Sequence, residues 1–253
     1  MALLELQGLT LRFGGLVAID ALDFAVEGGS IAALIGPNGA GKSTVFNVLT
    51  GIYRPTAGHV LFDGARIDGR DTAAIVGLGI ARTFQNIRLF AQASVLENVM
   101  TGEHVRLHAN LVDAILHTPR QRREERRVRE RARELLGFVG LTGVDDSAAA
   151  DLPYGSQRKL EIARALAAEP RLLLLDEPAA GMNPTEKNSF VDLLERIRAG
   201  GTTVLLIEHD MGLVMRVAER ITVLDHGVKI AAGTPAEIRA DPHVIDAYLG
   251  KPA

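Results

Sequence analysis

Period-two alternation dominates the start of the chain. LLELQGLTLRF (3–13) partly alternates apolar and polar positions, LVAIDALDFAVEGG (16–29) follows, and SIAALIG (30–36) is a short apolar run ending in glycine. Alternation marks half-buried strands, and a short apolar run bounded by glycine marks a fully buried one, so residues 1–35 are predicted as β structure. GHVLFDGARI (58–67) reads as a hairpin around Asp63-Gly64, because Asp-Gly readily adopts the backbone that a two-residue turn between twisted strands needs. Two later runs, RLLLLD (171–176) and TTVLLIEHD (202–210), have the unbroken apolar character of strands covered on both faces, the parallel kind.

Helical signals fill the intervals. Asn183 can cap a helix with Pro184 at its first position, Phe190, Leu193, Leu194 and Ile197 form its stripe, and Gly200-Gly201 ends it. Thr234-Pro235-Ala236-Glu237 resembles a capping box opening a short helix, and Asp241-Pro242 opens another. Strands alternating with helices predict a doubly wound parallel sheet. From about Ser94 to Leu166 the pattern is instead helical, with no convincing strand. Val128, Ala132, Leu135, Leu136 and Val139 mark one face of a long helix whose other face carries eight arginines and four glutamates between Arg120 and Glu134. Spacings such as Glu125–Arg129 read as a solvated face laced by i,i+4 pairs, with a docking surface for an acidic partner as the sharper alternative. A further helix begins abruptly after Leu152-Pro153-Tyr154-Gly155-Ser156; Leu160, Ala163, Leu166 and Ala167 form its apolar face, and Pro170 follows its end.

Bulk properties narrow the class. The 253 residues suffice for a large core in one α/β domain or two small ones. A net charge of −3 lacks the basic surplus of a nucleic-acid binder, and the absence of cysteine excludes disulfides, zinc-thiolate sites and cysteine nucleophiles. Glu5 interrupts a short apolar start that no basic segment precedes, and no apolar run approaches the ~18 residues of a bilayer span. The expectation is a soluble, cytoplasmic chain.

The chemistry begins with GPNGAGKST (36–44), which follows a buried strand and precedes the amphipathic KSTVFNVLTGIY (42–53). It fits G-x-x-x-x-G-K-[ST] in the strand–loop–helix context that a phosphate loop requires. Gly36, Gly39 and Gly41 let successive backbone N–H groups point inward at phosphate oxygens, and the helix adds its positive end. Pro37, Asn38, Ala40 and Thr44 complete the cradle; Lys42 can reach the β- and γ-phosphates and the Ser43 hydroxyl can ligate Mg²⁺. RLLLLDEP then places two acids at a strand end: Asp176 to hold Mg²⁺, Glu177 to polarise a water for in-line attack. His209 closes a strand on the edge where open α/β sheets bind ligands. Alone, Gln85 is an ordinary polar residue, and Phe13 is either core or an aromatic platform for a base.

Together these pieces resemble the ATP-binding-cassette (ABC) ATPases, in the family's order and over nearly the whole chain. Phe13 matches the aromatic that stacks on adenine, GPNGAGKST the phosphate loop, Gln85 the glutamine loop that senses Mg²⁺ and water, and LPYGSQ (152–157) the signature. LLLLDEP (172–178) matches the acidic strand with its catalytic Glu177, AAGMNP (179–184) the dimer-contact loop, and His209 the switch histidine. The resemblance implies a RecA-like P-loop core with an antiparallel β subdomain and an inserted α-helical subdomain. The divisions expected are 1–90 with 167–253 for the core and 91–166 for the helical part, within one ATPase domain. It also implies a head-to-tail pair of ATPase subunits, homodimer or heterodimer, in which Tyr154, Gly155 and Ser156 complete the partner's ATP site in trans. FGGLVAIDALDFAV, GIARTFQNIRLFAQASVLENV, YGSQRKLEIARAL, LDEPAAGMNP and GTPAEIRADPHVIDAYLG are most similar to the ATPase subunits of branched-chain amino-acid importers. Such importers add two membrane permeases and an extracytoplasmic binding protein, which places the ATPase peripherally on the inner face of the membrane. Urea or amide uptake, lipopolysaccharide export, a nucleic-acid-acting cassette and a P-loop kinase are the alternatives; no nucleic-acid partner is expected.

Two departures stand out. The usual signature is Leu-Ser-Gly-Gly-Gln, and here Pro153 replaces the serine, Tyr154 the first glycine and Ser156 the glutamine. Asn183 stands where an aspartate is common. Pro153 supplies neither hydroxyl nor N–H, so the site completed by this signature is expected to be the weaker of two, unless Tyr154 and Ser156 compensate. Leu89 and Phe90 are either permease contacts or local core.

Overall fold

The computed structural model describes residues 2–103 and 119–249. They fall into two compact units, Met1–Arg82 with Arg171–Ala253, and Thr83–Pro170.

In the first unit, strands β1 (Ala2–Phe13), β2 (Leu16–Glu27), β4 (Ala57–Phe62) and β5 (Ala65–Arg66) form an antiparallel sheet in the order β2-β1-β4-β5. The alternation of β1 is only partial because its register against β2 shifts between Leu6 and Leu9, so that Leu6, Leu9 and Leu11 are all buried. Asp63 and Gly64 turn the β4–β5 hairpin with φ of 52° and 72°, as the Asp-Gly pair predicts.

The second sheet of this unit has the order β10-β9-β3-β8-β7-β6. β3 (Ile31–Ile35), β6 (Ile80–Arg82), β7 (Leu172–Asp176), β8 (Thr203–Ile207) and β9 (Arg220–Asp225) are parallel, and β10 (Val228–Gly233) adds an antiparallel edge. Every residue of β3, β7 and β8 is buried, the apolar runs as their pattern requires and the polar Asp176 and Thr203 with them. Helix α1 (Lys42–Leu49) sets Val45, Phe46, Val48 and Leu49 into the core that also takes in Leu4, Leu9 and Phe62 of one sheet and Leu34, Leu174 and Leu205 of the other.

The second unit is helical. Helices α3 (Val95–Gly102), α4 (Pro119–Val139) and α5 (Tyr154–Ala167) pack on one another; α2 (Thr72–Gly77) belongs to the first unit. A capping box between Ser94 and Glu97 starts α3. Its last residue must be glycine, because a Cβ on Gly102 would stand 2.1 Å from the Arg164 carbonyl of α5. The predicted stripe of α4, from Val128 to Val139, is buried, as are Leu160, Ala163, Leu166 and Ala167 of α5, and the two helices pack on each other. The described side chains of the charged face of α4 are exposed, except the half-buried Glu124: Arg129 lies 3.6 Å from Glu125 and Arg131 2.9 Å from Glu134. The side chains of Arg120 and Arg122 lie outside the described residues. Among the described residues, no helix is long and apolar enough to cross a membrane.

Candidate functional site

β3 runs straight into the glycine loop. Gly36, Gly39 and Gly41 have φ of 151°, 82° and 100°, the left-handed region that suits glycine, and the chain enters α1 immediately afterwards. Gly36 has a second constraint: a Cβ there would lie 2.1 Å from the Leu224 carbonyl of β9. The loop is pinned from two sides, Ala40 N–H donating to Pro37 O at 3.2 Å and Gly227 N–H to Ala40 O at 3.0 Å. Lys42 is buried, and its ammonium donates to the carbonyls of Gly36 at 2.8 Å and Pro37 at 2.9 Å. Burial holds its pKa below the usual lysine value, against the opposing charges of Glu177 and Asp176. Ser43 is exposed at the start of α1, Thr44 half-buried, Asn38 exposed and Ala40 buried.

Asp176 ends β7 and is buried; its Oδ2 lies 2.8 Å from Arg82 Nη2 at the end of β6. Arg82 Nη1 donates in turn to Asn47 Oδ1 of α1 at 2.7 Å, so one guanidinium joins two strands and the helix that follows the phosphate loop. Glu177 comes next with φ of 46°, a conformation that costs a non-glycine residue about 1–2 kcal/mol. Its N–H is fixed to Ile207 O of β8 at 2.9 Å. His209 Nδ1 stands 3.7 Å from Glu177 Oε2, with the imidazole exposed. Glu208, next to His209, is fully buried and accepts N–H bonds from Ala179 at 2.8 Å, His209 at 3.1 Å and Asp210 at 3.4 Å. Burial pushes its carboxyl up, and the three amides pull it back. Lys42, Asp176, Glu177 and His209 are thus one electrostatic cluster within the first unit.

Phe13 is 44% exposed at the end of β1, with its ring 5.1 Å from Tyr53 in an edge-on contact. It is therefore not part of the buried core. Asn183 has a local reason for its identity: its Oδ1 accepts Glu186 N–H at 3.0 Å while Glu186 closes the reciprocal bond at 2.8 Å, the capping box of α6 (Pro184–Ala199).

Gln85 and the signature residues lie in the second unit. Gln85 is exposed in an irregular stretch after β6. Pro153 stands at the cap of α5 with no side-chain hydrogen bond there, and its carbonyl accepts the N–H groups of Ser156 at 2.9 Å and Gln157 at 3.0 Å. Gly155 is buried, Ser156 half-buried and Tyr154 47% exposed, its hydroxyl accepting from Arg158 at 2.9 Å. Leu89 is half-buried and Phe90 58% exposed.

The donors suit a magnesium nucleotide. Arg82 takes one Asp176 oxygen and leaves the other, and Ser43 presents its hydroxyl on the first turn of α1. Among the described residues no group of three His, Cys, Asp or Glu could hold a metal alone, and Mg²⁺ is commonly held by one or two carboxylates together with substrate phosphates.

A glycine loop between a buried parallel strand and a helix, an acidic pair at the end of another strand of the same sheet and a separate helical unit define an ATP-binding cassette. The chain belongs to the ABC transporter family, whose model matches residues 19–180. A second model, that of the branched-chain amino acid ATP-binding cassette transporter, matches 228–253. The chain is 47% identical over 250 residues to BraF of Pseudomonas aeruginosa, a high-affinity branched-chain amino acid transport ATP-binding protein, covering 98% of both chains. With LivG of Escherichia coli K12, a protein of the same description, the identity is 45% over 250 residues and the coverage again 98% of each. The ADP conformation of MJ1267, an ATP-binding cassette of an ABC transporter, superposes with a TM-score of 0.86 at 31% identity over 99% of this chain and 100% of that one. The family binds ATP and couples its hydrolysis to transport, and the observed α/β architecture with antiparallel and parallel sheets is the expected one.

Arg82, Glu208, Arg158 and Glu161 escaped the sequence reading. Arg82 ends a strand of three residues, too short to show a period. Glu208 sits inside the quoted TTVLLIEHD, where a carboxylate directly after an apolar run was the available signal.

Proposed function

We propose that this chain is the ATP-hydrolysing subunit of a membrane importer for branched-chain or related amino acids. The observation that carries the hydrolytic part is the placement of Glu177 at the end of β7, with its backbone tied to β8 and its carboxylate beside His209 and in the field of Lys42. The cargo rests on the near full-length similarity to BraF and LivG and on the match of the C-terminal segment.

In this reading Phe13 stacks on adenine and residues 36–44 wrap the phosphates. Lys42 leaves the carbonyls of Gly36 and Pro37 for the β- and γ-phosphate oxygens, exchanging neutral acceptors for charged ones. Ser43, Gln85 and Asp176 hold Mg²⁺, which when bound neutralises charge developing on the phosphates. Glu177 takes a proton from the water that attacks the γ-phosphorus, the bond to the bridging oxygen breaks, and ADP leaves with that oxygen. His209 holds the γ-phosphate and the water in line.

The signature residues Tyr154, Gly155 and Ser156 complete the site of a second ATPase subunit, homologous or identical, in a head-to-tail pair. Permeases bind the pair at the cytoplasmic face of the membrane, and an extracytoplasmic binding protein delivers the solute. The loss of the serine hydroxyl at Pro153 makes the site served by this signature the slower one.

The test is ATPase activity of the reconstituted complex, screened across amino acids: stimulation by leucine, isoleucine or valine is expected. Stimulation only by urea or amides would replace the cargo, and nucleic-acid stimulation without permease would replace the class. Pro153→Ser should raise turnover of the complex; unchanged turnover removes the slow-site reading.

A further inference from the structure

Residues 84–88, the irregular stretch around Gln85, are held by side chains of the signature helix α5. Arg158 donates through Nη1 to Phe84 O at 2.7 Å and through Nη2 to Gln85 O. Glu161 Oε1 accepts the N–H groups of Phe84 at 3.4 Å and Arg88 at 3.3 Å. Arg164 adds a bond to Arg88 O. These three residues recur every three positions, so they stand on one face of α5 and grip carbonyls and amides of the stretch alternately.

Arg158 and Glu161 are also ion-paired at 3.3 Å with side chains 3% and 1% exposed. A buried pair of this kind is weak evidence for stability, since apolar residues of similar volume often serve as well or better. Its geometry points to another use, because each partner spends further hydrogen-bonding capacity on the backbone around Gln85. The Tyr154 hydroxyl, at the first turn of the same helix, accepts from Arg158 Nη2 at 2.9 Å, and the guanidinium lies 5.4 Å from the ring centre. Tyr154, one of the departures from the usual signature, is therefore wired to the carbonyl of Gln85 through one guanidinium.

We propose that Arg158 and Glu161 are positioning residues that, with the Tyr154 hydroxyl, clamp the glutamine loop to the signature helix, so that Gln85 and the signature move as one body. The proposal rests on the reading of Gln85 and residues 154–156 as parts of ATP sites. Under it, Gln85 serves the site of its own chain and the signature serves the other subunit's site, so the clamp links the two sites. Tyr154 then replaces the small residue of the usual signature with a third point of attachment.

The decisive variant is Arg158→Met with Glu161→Leu, which removes both members of the buried ion pair; Arg164, 18% exposed, keeps its bond to Arg88 O and loses only the 3.8 Å contact with Glu161. Tyr154→Phe and Arg158→Lys are milder versions that retain the ion pair. Hydrogen exchange on the full chain should show the amides of 84–88 exchanging faster in the double variant, with the amides of α3 and α4 unaffected and thermal unfolding no lower. In the assembled transporter, kcat should fall roughly tenfold or more while KM for ATP changes by less than about twofold, the scale and pattern of a misplaced catalytic group. Tyr154→Phe and Arg158→Lys should fall in between, and they carry the test if the double variant does not fold. Unchanged exchange at 84–88 overturns the clamp. Faster exchange with unchanged kcat overturns its role in the reaction. If the unmodified complex hydrolyses no ATP, the proposed function fails, and the exchange measurement still decides whether the clamp exists.

Discussion

Arg82 and Asp176 form an ion pair almost wholly inside the protein, Nη2 2.8 Å from Oδ2, with side chains 7% and 4% exposed. Removing one partner of such a pair leaves a buried charge uncompensated, which costs about 3–5 kcal/mol. Arg82→Ala is therefore expected to lower unfolding free energy by that order in chemical denaturation. The double variant Arg82→Ala with Asp176→Ala should recover part of the loss; if it recovers none, the bond from Arg82 to Asn47 is the larger stabilising contact.

Glu177 joins a strained backbone to the proposed general base. Glu177→Gln preserves size and should bind ATP normally while phosphate release drops about 10²–10⁴-fold, the usual contribution of a positioned proton acceptor. Glu177→Gly should be equally inactive yet more stable by about 1 kcal/mol, because glycine adopts φ of 46° without steric cost. Full turnover in either variant would refute the assignment.

Burial lowers the pKa of Lys42 from 10.5, so the folded chain binds fewer protons than the unfolded chain in the window just below that value. Stability of the nucleotide-free protein therefore rises with pH through that window. Bound phosphates reverse the balance by stabilising the ammonium. ATP binding about one pH unit below 10.5 should take up a fraction of a proton, read by calorimetry in buffers of different ionisation enthalpy. Lys42→Gln should abolish the uptake; if uptake persists, another group is responsible.

Two glycines of the phosphate loop should respond differently to alanine. A Cβ on Gly36 meets Leu224 O at 2.1 Å, so β9 must move, and Gly36→Ala is expected to prevent stable folding. A Cβ on Gly39 meets nothing within 4 Å, and Gly39→Ala should cost only the ~1–2 kcal/mol of a left-handed backbone. Thermal unfolding of both variants checks the contrast, and equal losses would contradict it.

Much of this was written in local pattern. The runs at 31–35, 172–175 and 204–207 are apolar throughout because their strands are covered on both faces, and each was legible as such. The caps Asn183 and Thr234 were legible because a capping box is completed within four residues. The glycine loop was legible because backbone freedom and a following helix are encoded in adjacent residues. β6 went unread, as did the short helices α2 and α7 (Met211–Val217), since a strand of three residues and helices of six or seven give a period too little length to show.

Local order along the chain thus carried the strands, the caps and the phosphate loop, because each depends on neighbours a few residues apart. Contacts across long sequence separations were settled by folding alone. Arg82 found Asp176 through the parallel pairing of β6 with β7, across 94 positions. Glu208 reached the amide of Ala179 because β7 and β8 end side by side. Arg158 and Glu161 reached the backbone around Gln85 because α5 lies against that stretch. A charged side chain does not announce its partner in sequence; burial makes the partner obligatory, and only the packed chain decides which groups are near enough to serve.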